Sequence, residues 1–290
     1  MRTHTWARRA AIALTVLTVG SGGVFAAANA APVPPNTNFA YWTAQADGEV
    51  HAIGGAPFYG SMAGASLKEV VVGMAATRSR HGYWLVARDG GIFSFGDAHF
   101  YGSMGGVHLV KGIVGIAPTP SGHGYWMVAG DGGIFSFGDA HFYGSMGGRH
   151  LTQPIVGIAS TPTGRGYWMV AADGGIFSFG DARFLGSTGA LHLNFPMVGM
   201  AATASGHGYW LVARDGGIFT YGDATFYGSP AGGPRWAAVT SMATTPTGHG
   251  YWMVARDNTT WRYGDAGIGV TRGIRIGIYS GPAWFAIVAA

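Results

Sequence analysis

The chain has 290 residues, of which 52 are glycine, 13% are aromatic and 10% are charged, and this composition favours a tightly turned all-β protein over a disordered chain. It contains no cysteine, so disulfides, thiol nucleophiles and cysteine-based zinc sites are excluded. Three arginines in residues 1–30 account for most of the formal net charge of +4, and the remainder lacks the basic surface expected for binding nucleic acid or an anionic membrane.

Residues 1–30 have the features of a secretory signal peptide. The basic start precedes an uncharged apolar stretch over 10–28, and the small residues 28–30 (Ala-Asn-Ala) form a cleavage site. Glycines and a serine at 20–23 interrupt the apolar stretch, which favours a cleaved signal over a retained anchor. Residues 31–38 are a proline-rich linker. We therefore expect a secreted protein, extracellular or associated with the cell wall, with no transmembrane segment after cleavage by a Sec or twin-arginine route.

A repeat with a constant period of 42 residues occupies the chain from residue 39 to residue 290. Its most regular feature is a Tyr-Trp pair, found at Tyr41-Trp42, Tyr83-Trp84, Tyr125-Trp126, Tyr167-Trp168, Tyr209-Trp210 and Tyr251-Trp252. Internal repeats of this length indicate that one supersecondary unit is stacked several times.

Each repeat reads as four short strands, here called A, B, C and D. In the third repeat they are predicted at 113–117, 125–129, 134–137 and 141–145, separated by loops rich in Gly, Pro, Ser and Thr. The turn between B and C begins with Asp131-Gly132, a strong hairpin signal because both residues tolerate positive φ.

Strand B is apolar on both of its faces, which indicates burial on both sides. Sheets packed face to face around an axis bury both faces of every strand, and 42 residues is the expected size of one blade in that arrangement. The sequence thus predicts an all-β, six-bladed β-propeller, with the small residues of strand A at the axis.

The two ends of the chain are predicted to share one blade. The first repeat has no strand A, and the run over 285–290 resembles the strand A of residues 71–76. We expect this C-terminal strand to complete the N-terminal blade and to close a ring of six, with seven blades as the alternative. Blade six is atypical, since it lacks the usual strand C and, over 267–275, the aromatic pair of strand D.

The stretch GYWLVARDGGIFSFGDAHFYGSMGG, residues 82–106, resembles the propeller repeats of secreted actinobacterial proteins. A weaker similarity links the same hairpin to the repeat of the regulator of chromosome condensation family. These resemblances imply a propeller architecture and an exported setting, and they imply no single activity.

Eleven of the 13 acidic residues occupy two repeated turn positions, the B–C turn and the C–D turn. Aspartate in such turns usually accepts a hydrogen bond from its own backbone. Carboxylates repeated around a ring do not converge on one bond as a glycosidase requires, and they offer few ligands for a shared metal ion. We therefore expect no catalytic residue, no metal site and no cofactor.

The A–B loop and the C–D turn of one blade should lie on the same face of the ring. Each A–B loop carries a His or an Arg, and we expect its side chain to pair, directly or through one water, with the C–D aspartate of the same blade. The predicted structural pairs are His81 with Asp97, His123 with Asp139, Arg165 with Asp181, His207 with Asp223, and His249 with Asp265.

The D–A loops vary most in chemistry from blade to blade, and variation on a constant frame is how a propeller acquires a specific binding surface. Tolerant surface loops without a ligand remain the alternative. The candidate ligand-binding residues are Lys68, His108, Lys111, Arg149, His150, His192, Phe195, Arg235 and Trp236.

The sequence favours a secreted, non-catalytic binding or scaffold propeller that recognises a cell-wall glycan or a surface protein and does not bind nucleic acid. The alternative function is an extracellular carbohydrate-active hydrolase or lyase with its site in the axial channel. A purely structural envelope component is a third interpretation.

Overall fold

The computed structural model describes residues 40–233, 238–267, 269–271 and 286–290. The predicted signal peptide and linker lie outside these residues, as do Arg235 and Trp236. All regular elements of the described residues are β-strands, arranged in six antiparallel sheets that fit the six predicted blades.

Each sheet has the order A, B, C, and the residue bounds match the predicted periodicity. The A strands are β3 (Val71–Ala76), β6 (Ile113–Pro118), β9 (Ile155–Ser160), β12 (Met197–Ala202), β15 (Val239–Thr244) and β19 (Ala286–Ala289). The B strands are β1 (Tyr41–Ala44), β4 (Gly82–Ala87), β7 (Gly124–Ala129), β10 (Gly166–Ala171), β13 (Gly208–Ala213) and β16 (Gly250–Ala255). The C strands are β2 (Val50–Ile53), β5 (Ile92–Gly96), β8 (Ile134–Gly138), β11 (Ile176–Gly180), β14 (Ile218–Gly222) and β17 (Thr260–Gly264).

The B strands form the core, as their two apolar faces predict. Every residue of β7 is buried, and the Trp126 ring lies 5.6 Å from the Tyr167 ring of the following blade, centroid to centroid. The same Trp-to-Tyr contact recurs from blade to blade, so the Tyr-Trp repeat is the packing unit between neighbouring sheets.

A β-bulge interrupts the A strand of blades two to six. In β6, Ile113 pairs with Ala129 and Gly115 with Val128, so the residue between them is left out of the register. Such a bulge turns a side chain away from the regular alternation of the strand. The bulged residues are Val72, Val114, Val156, Val198 and Thr240.

The predicted strand D does not form a ladder in blades one to five. Its segment is held by aromatic side chains: Trp126 Nε1 donates to the carbonyl oxygen of His141 at 2.7 Å, and Tyr167 of the next blade donates to the carbonyl of Gly144 at 2.6 Å. Gly144 has φ of 133°, a conformation that an L-residue rarely adopts, and a Cβ there would lie 2.5 Å from the ring of Phe179. The kink at this glycine explains why an irregular segment forms where a strand was predicted.

Blades one and six differ from the others. Strand β19 pairs antiparallel with β1, with Tyr41 opposite Ala289 and Trp42 opposite Val288, so blade one contains strands from both ends of the chain. Blade six has a fourth strand, β18 (Gly269–Thr271), paired with β17. The segment predicted to be atypical therefore supplies the one D strand among the described residues.

Candidate binding site

The A–B loops and C–D turns form one face of the ring, here called the network face. In blade three, Ser121 Oγ donates to Asp139 Oδ2 at 2.5 Å, and Thr119 Oγ1 lies 2.9 Å from Asp139 Oδ1. Ser121 Oγ also accepts the backbone N–H of His123 at 3.1 Å, and the N–H of Asp139 donates to the carbonyl of His123 at 3.0 Å. Each blade from two to five repeats this network of two hydroxyls, one carboxylate and one backbone turn.

The predicted His–Asp and Arg–Asp pairs are joined by backbone atoms instead of direct side-chain contacts. In blades two to five no side-chain hydrogen bond or ion pair connects His81 with Asp97, His123 with Asp139, Arg165 with Asp181, or His207 with Asp223; the only ion pair within 4.0 Å among the described residues is His51–Glu49. The carboxylate is already engaged by the Thr and Ser (or Thr) hydroxyls of its own blade. For His249 and Asp265 the N–H of the aspartate likewise donates to the histidine carbonyl, at 3.0 Å. A water-bridged contact stays a prediction.

Burial raises the pKa of the core tyrosines above the ordinary value of 10.0. For Tyr167, loss of solvation of the charged phenolate is the largest cause, and the hydrogen bonds with the backbone of Tyr143 and Gly144 lower the pKa by less than burial raises it. Because the hydroxyl donates to one carbonyl and accepts one N–H, it stabilises the blade-to-blade contact in its neutral form. The same direction holds for the equivalent residues Tyr83, Tyr125, Tyr209 and Tyr251.

The B–C turns and D–A loops form the opposite face, here called the variable face. All predicted ligand-binding residues that the structure describes are exposed on it: Lys68, His108, Lys111, Arg149, His150, His192 and Phe195. Large apolar side chains that were not predicted are exposed beside them, with Val110 82% and Leu191 59% accessible. Arg235 and Trp236, the remaining candidates, lie outside the described residues.

The A strands line a cavity of about 720 Å³. Neighbouring A strands contact one another in the order β3, β6, β9, β12, β15, β19 and back to β3. All five bulged residues line the cavity, and four of them are valines. The wall is therefore largely apolar, with the bulges near the variable face, where each A strand begins.

One position in the B–C turn pins neighbouring blades together at the mouth of this cavity. The N–H of Arg88 donates to the carbonyl of Val70 in its own blade at 2.9 Å, and the carbonyl of Arg88 accepts the N–H of Ile113 in the next blade at 2.8 Å. Equivalent bonds are made at Gly130 and Arg214. The backbone role is constant while the side chain varies, and from blade one to blade six the residues are Ala46, Arg88, Gly130, Ala172, Arg214 and Arg256.

Within the described part of the chain, the ionisable residues that line the cavity are all cationic: Arg88, Lys111, Arg214 and Arg256. Of these, the sequence predicted only Lys111. The three arginines were missed because variation was sought in the D–A loops, although the residue before the B–C aspartate also changes from blade to blade. Comparison of the repeats at that single position would have revealed them.

The described residues contain no group of three or more His, Asp or Glu side chains placed to hold a metal ion. Within the same residues, no helix has the length and apolar character needed to cross a membrane.

Known structures support the propeller fold. The β-propeller domain of Cps50 (Swd1) from Myceliophteria thermophila aligns with a TM-score of 0.50 and 11% identity, over 83% of this chain and 84% of that one. At such low identity the similarity concerns the fold alone. No protein-family model and no curated protein matches the sequence. The chain is thus an all-β repeat protein with the β-propeller fold, and its sheets fit six blades.

Proposed function

We propose that this protein is a secreted, non-catalytic binding propeller that recognises a glycan or a protein at the cell surface through its D–A loops. The observation that carries the proposal is the composition of these loops in blades two to four. They expose Val110, Leu191 and Phe195 next to cationic and imidazole side chains, on a frame of sheets whose cores are fully buried. Exposed apolar groups with a polar surround on a rigid support are typical of interaction surfaces.

The use of the carboxylates favours binding over hydrolysis. Asp139 is engaged with two hydroxyls, and Asp131 accepts the N–H of Gly133 at 3.0 Å, so each serves a turn of its own blade. A hydrolase or lyase would need an acid and a base held near one substrate bond. Export is part of the proposal and is supported by the basic, apolar and small-residue pattern of residues 1–30.

We further infer that six blades form a closed ring sealed by the C-terminal strand. The pairing of β19 with β1 and the cyclic contacts of the A strands support this closure. Ile287 is 4% accessible and packs with Tyr41 and Trp252 across the junction of blades one and six. The substitution Ile287→Asp should prevent cooperative unfolding in a urea titration, whereas Val110→Asp on an exposed loop should not; equal behaviour of the two variants would contradict the closure.

The function is tested by binding of the purified protein without residues 1–30 to isolated cell-wall polysaccharide, to a glycan array and to intact cells. Phe195→Ala should reduce binding about tenfold, because an apolar side chain at the centre of an interface contributes about 1–2 kcal/mol. Phe142, exposed on the outer D segment of blade three, provides the matched control, and Phe142→Ala should bind as the wild type does. Equal loss in both variants, or no binding to any surface, would contradict the proposal.

A further inference from the structure

The side chains at the pinning position are not required by the fold. Gly130 and Ala172 make the same backbone hydrogen bonds as Arg88 and Arg214, with donor–acceptor distances of 2.8–3.0 Å. A guanidinium at this position therefore adds nothing to the ladder that an alanine does not supply. Its presence in blades two and five places charge at the cavity mouth without a need for it in the backbone ladder.

A fourth cation occupies the sector where the pinning residue is glycine. A Cβ built on Gly130 would lie 3.9 Å from Lys111 Cβ, so the lysine of the preceding D–A loop stands beside the empty position of blade three. The Arg88 stem lies over Gly112, where an added Cβ would meet Arg88 Cγ at 2.5 Å. Absence of a side chain at Gly112 thus gives the arginine its path along the mouth.

Three of these four cations, Arg88, Lys111 and Arg214, are not neutralised by partners among the described residues. Among the described residues, no side-chain hydrogen bond or ion pair is made by Arg88, Lys111 or Arg214, and no carboxylate lines the cavity. The neighbouring B–C aspartates instead accept backbone N–H groups, as Asp89 does from Gly91 at 3.0 Å. Charges of one sign around a low-dielectric cleft focus their electric field into the cleft, and positive charges there attract anions.

The wall behind the cations is apolar. The bulged valines Val72, Val114, Val156 and Val198 follow the mouth, and Ile116, Ile158 and Met200 lie further along the A strands. Contact with this apolar wall would add no binding free energy for a hydrated anion alone. An apolar group attached to the anion would be removed from water by the wall, which favours binding. The volume of about 720 Å³ is in the range of cavities that bind small organic molecules.

We propose that the axial cavity binds a small organic anion, with its carboxylate, sulfonate or phosphate group at the ring of Arg88, Lys111, Arg214 and Arg256 and its apolar body among the bulged valines. This site is separate from the D–A loop surface of the proposed function, and Lys111 alone belongs to both. Aliphatic and aromatic bodies share the required chemistry, and the choice of probes distinguishes them.

The experiment is isothermal titration calorimetry of the purified protein without residues 1–30. Octanoate and 2-naphthoate are the anionic probes with apolar bodies, acetate supplies the charge alone, and octanol supplies the apolar body alone. At least one of the two complete probes should bind about tenfold tighter than both acetate and octanol, and its affinity should fall as NaCl is raised. Octanoate bound better than 2-naphthoate would assign a chain-like ligand, and the reverse an aromatic one.

The repeats themselves provide the variants. Alanine is the residue of blade four at this position, so we replace the arginines of blades five and two by alanine. Each substitution, Arg214→Ala or Arg88→Ala, should lower the affinity for the probe about fivefold. Ala172→Arg adds a cation at the equivalent place and should tighten binding by a similar factor. Arg183→Ala removes an exposed cation that does not line the cavity and is the matched control; thermal melts confirm that every variant is folded.

The opposite response of Arg214→Ala and Ala172→Arg is the decisive result. Unchanged affinity in both, an equal loss in Arg183→Ala, octanol binding as tightly as octanoate, or no binding of either complete probe would each overturn the proposal. Phe195→Ala should leave probe binding unchanged, so failure of this site and failure of the loop surface are distinguishable.

Discussion

The network face and the variable face are made from the same antiparallel blades, but they use their side chains in opposite ways. On the network face, side chains perform the structural work: Thr119, Ser121 and Asp139 bond to one another and to the backbone of the A–B loop. On the variable face, backbone atoms join neighbouring blades at the pinning position, so the side chain there is free to differ. Function should therefore be sought where the backbone alone maintains the fold.

A rise in pH should have the largest effect on the stability of the folded protein. It should affect the two faces equally, because both depend on the tyrosines that join neighbouring blades. Burial raises the pKa of Tyr167 and its equivalents above 10.0, so above pH 10 the unfolded chain releases protons that the folded protein retains. This contribution to stability is complete below pH 10 and is lost as the pH rises through the folded-state pKa values. The urea midpoint should be constant from pH 8 to 9.5 and fall steeply above pH 10, and a midpoint that stays constant above pH 10 would contradict this account.

The substitution Tyr167→Phe should destabilise the protein by about 2 kcal/mol, because it leaves the carbonyl of Gly144 and the N–H of Tyr143 without their partner. The D segment that connects the two faces would lose its attachment to the next blade. Tyr143→Phe is the matched control, since its hydroxyl makes one bond of 3.2 Å and blade four has Leu185 at this position. Urea titration of both variants measures the difference, and an equal loss would contradict the role assigned to Tyr167.

The aspartates of the two faces should differ in their contribution to the free energy of unfolding, although each occupies a repeated turn. Asp139→Ala removes the acceptor for two hydroxyls and should cost about 2 kcal/mol, whereas Asp131→Ala removes the acceptor for one backbone N–H and should cost about 1 kcal/mol. The free energies of unfolding of the two variants give the comparison. A larger loss for Asp131→Ala would show that the variable face also depends on its side chains.

The sequence predicted the parts of the fold that follow from local pattern. The apolar faces of strand B, the Asp-Gly turn after it and the constant 42-residue period all appear in the structure at the expected positions. Strand D was predicted from its aromatic residues and its place between two turns. Its carbonyls bond instead to a Trp of the same blade and a Tyr of the next blade, which are 15 and 23 residues away. Propensity within the segment carries no information about such contacts.

The candidate site was predictable only in part, for a similar reason. The D–A loops differ visibly from repeat to repeat, so their residues could be selected from sequence. Arg88 and Arg214 stand inside a conserved-looking turn, and their position at the cavity depends on which A strands surround the axis and on the bulges within them. A bulge shifts the pairing register, so it changes the side of the strand on which a side chain lies. The composition of the strand does not show where a bulge occurs.

The smallest expected change in the free energy of unfolding is that of His123→Ala. This substitution tests the predicted His–Asp pairing against the observed network of hydroxyls and backbone. His123 is exposed and its ring makes no hydrogen bond among the described residues, so His123→Ala should change the free energy of unfolding by less than about 0.5 kcal/mol. Ser121→Ala should cost about 1 kcal/mol, because it removes both the donor to Asp139 and the acceptor for the N–H of His123. If the histidine ring and the aspartate were coupled through water, the loss of stability in His123→Ala would match that in Ser121→Ala. A small effect of His123→Ala beside a loss of about 1 kcal/mol for Ser121→Ala would assign the stability of this face to hydroxyls and backbone.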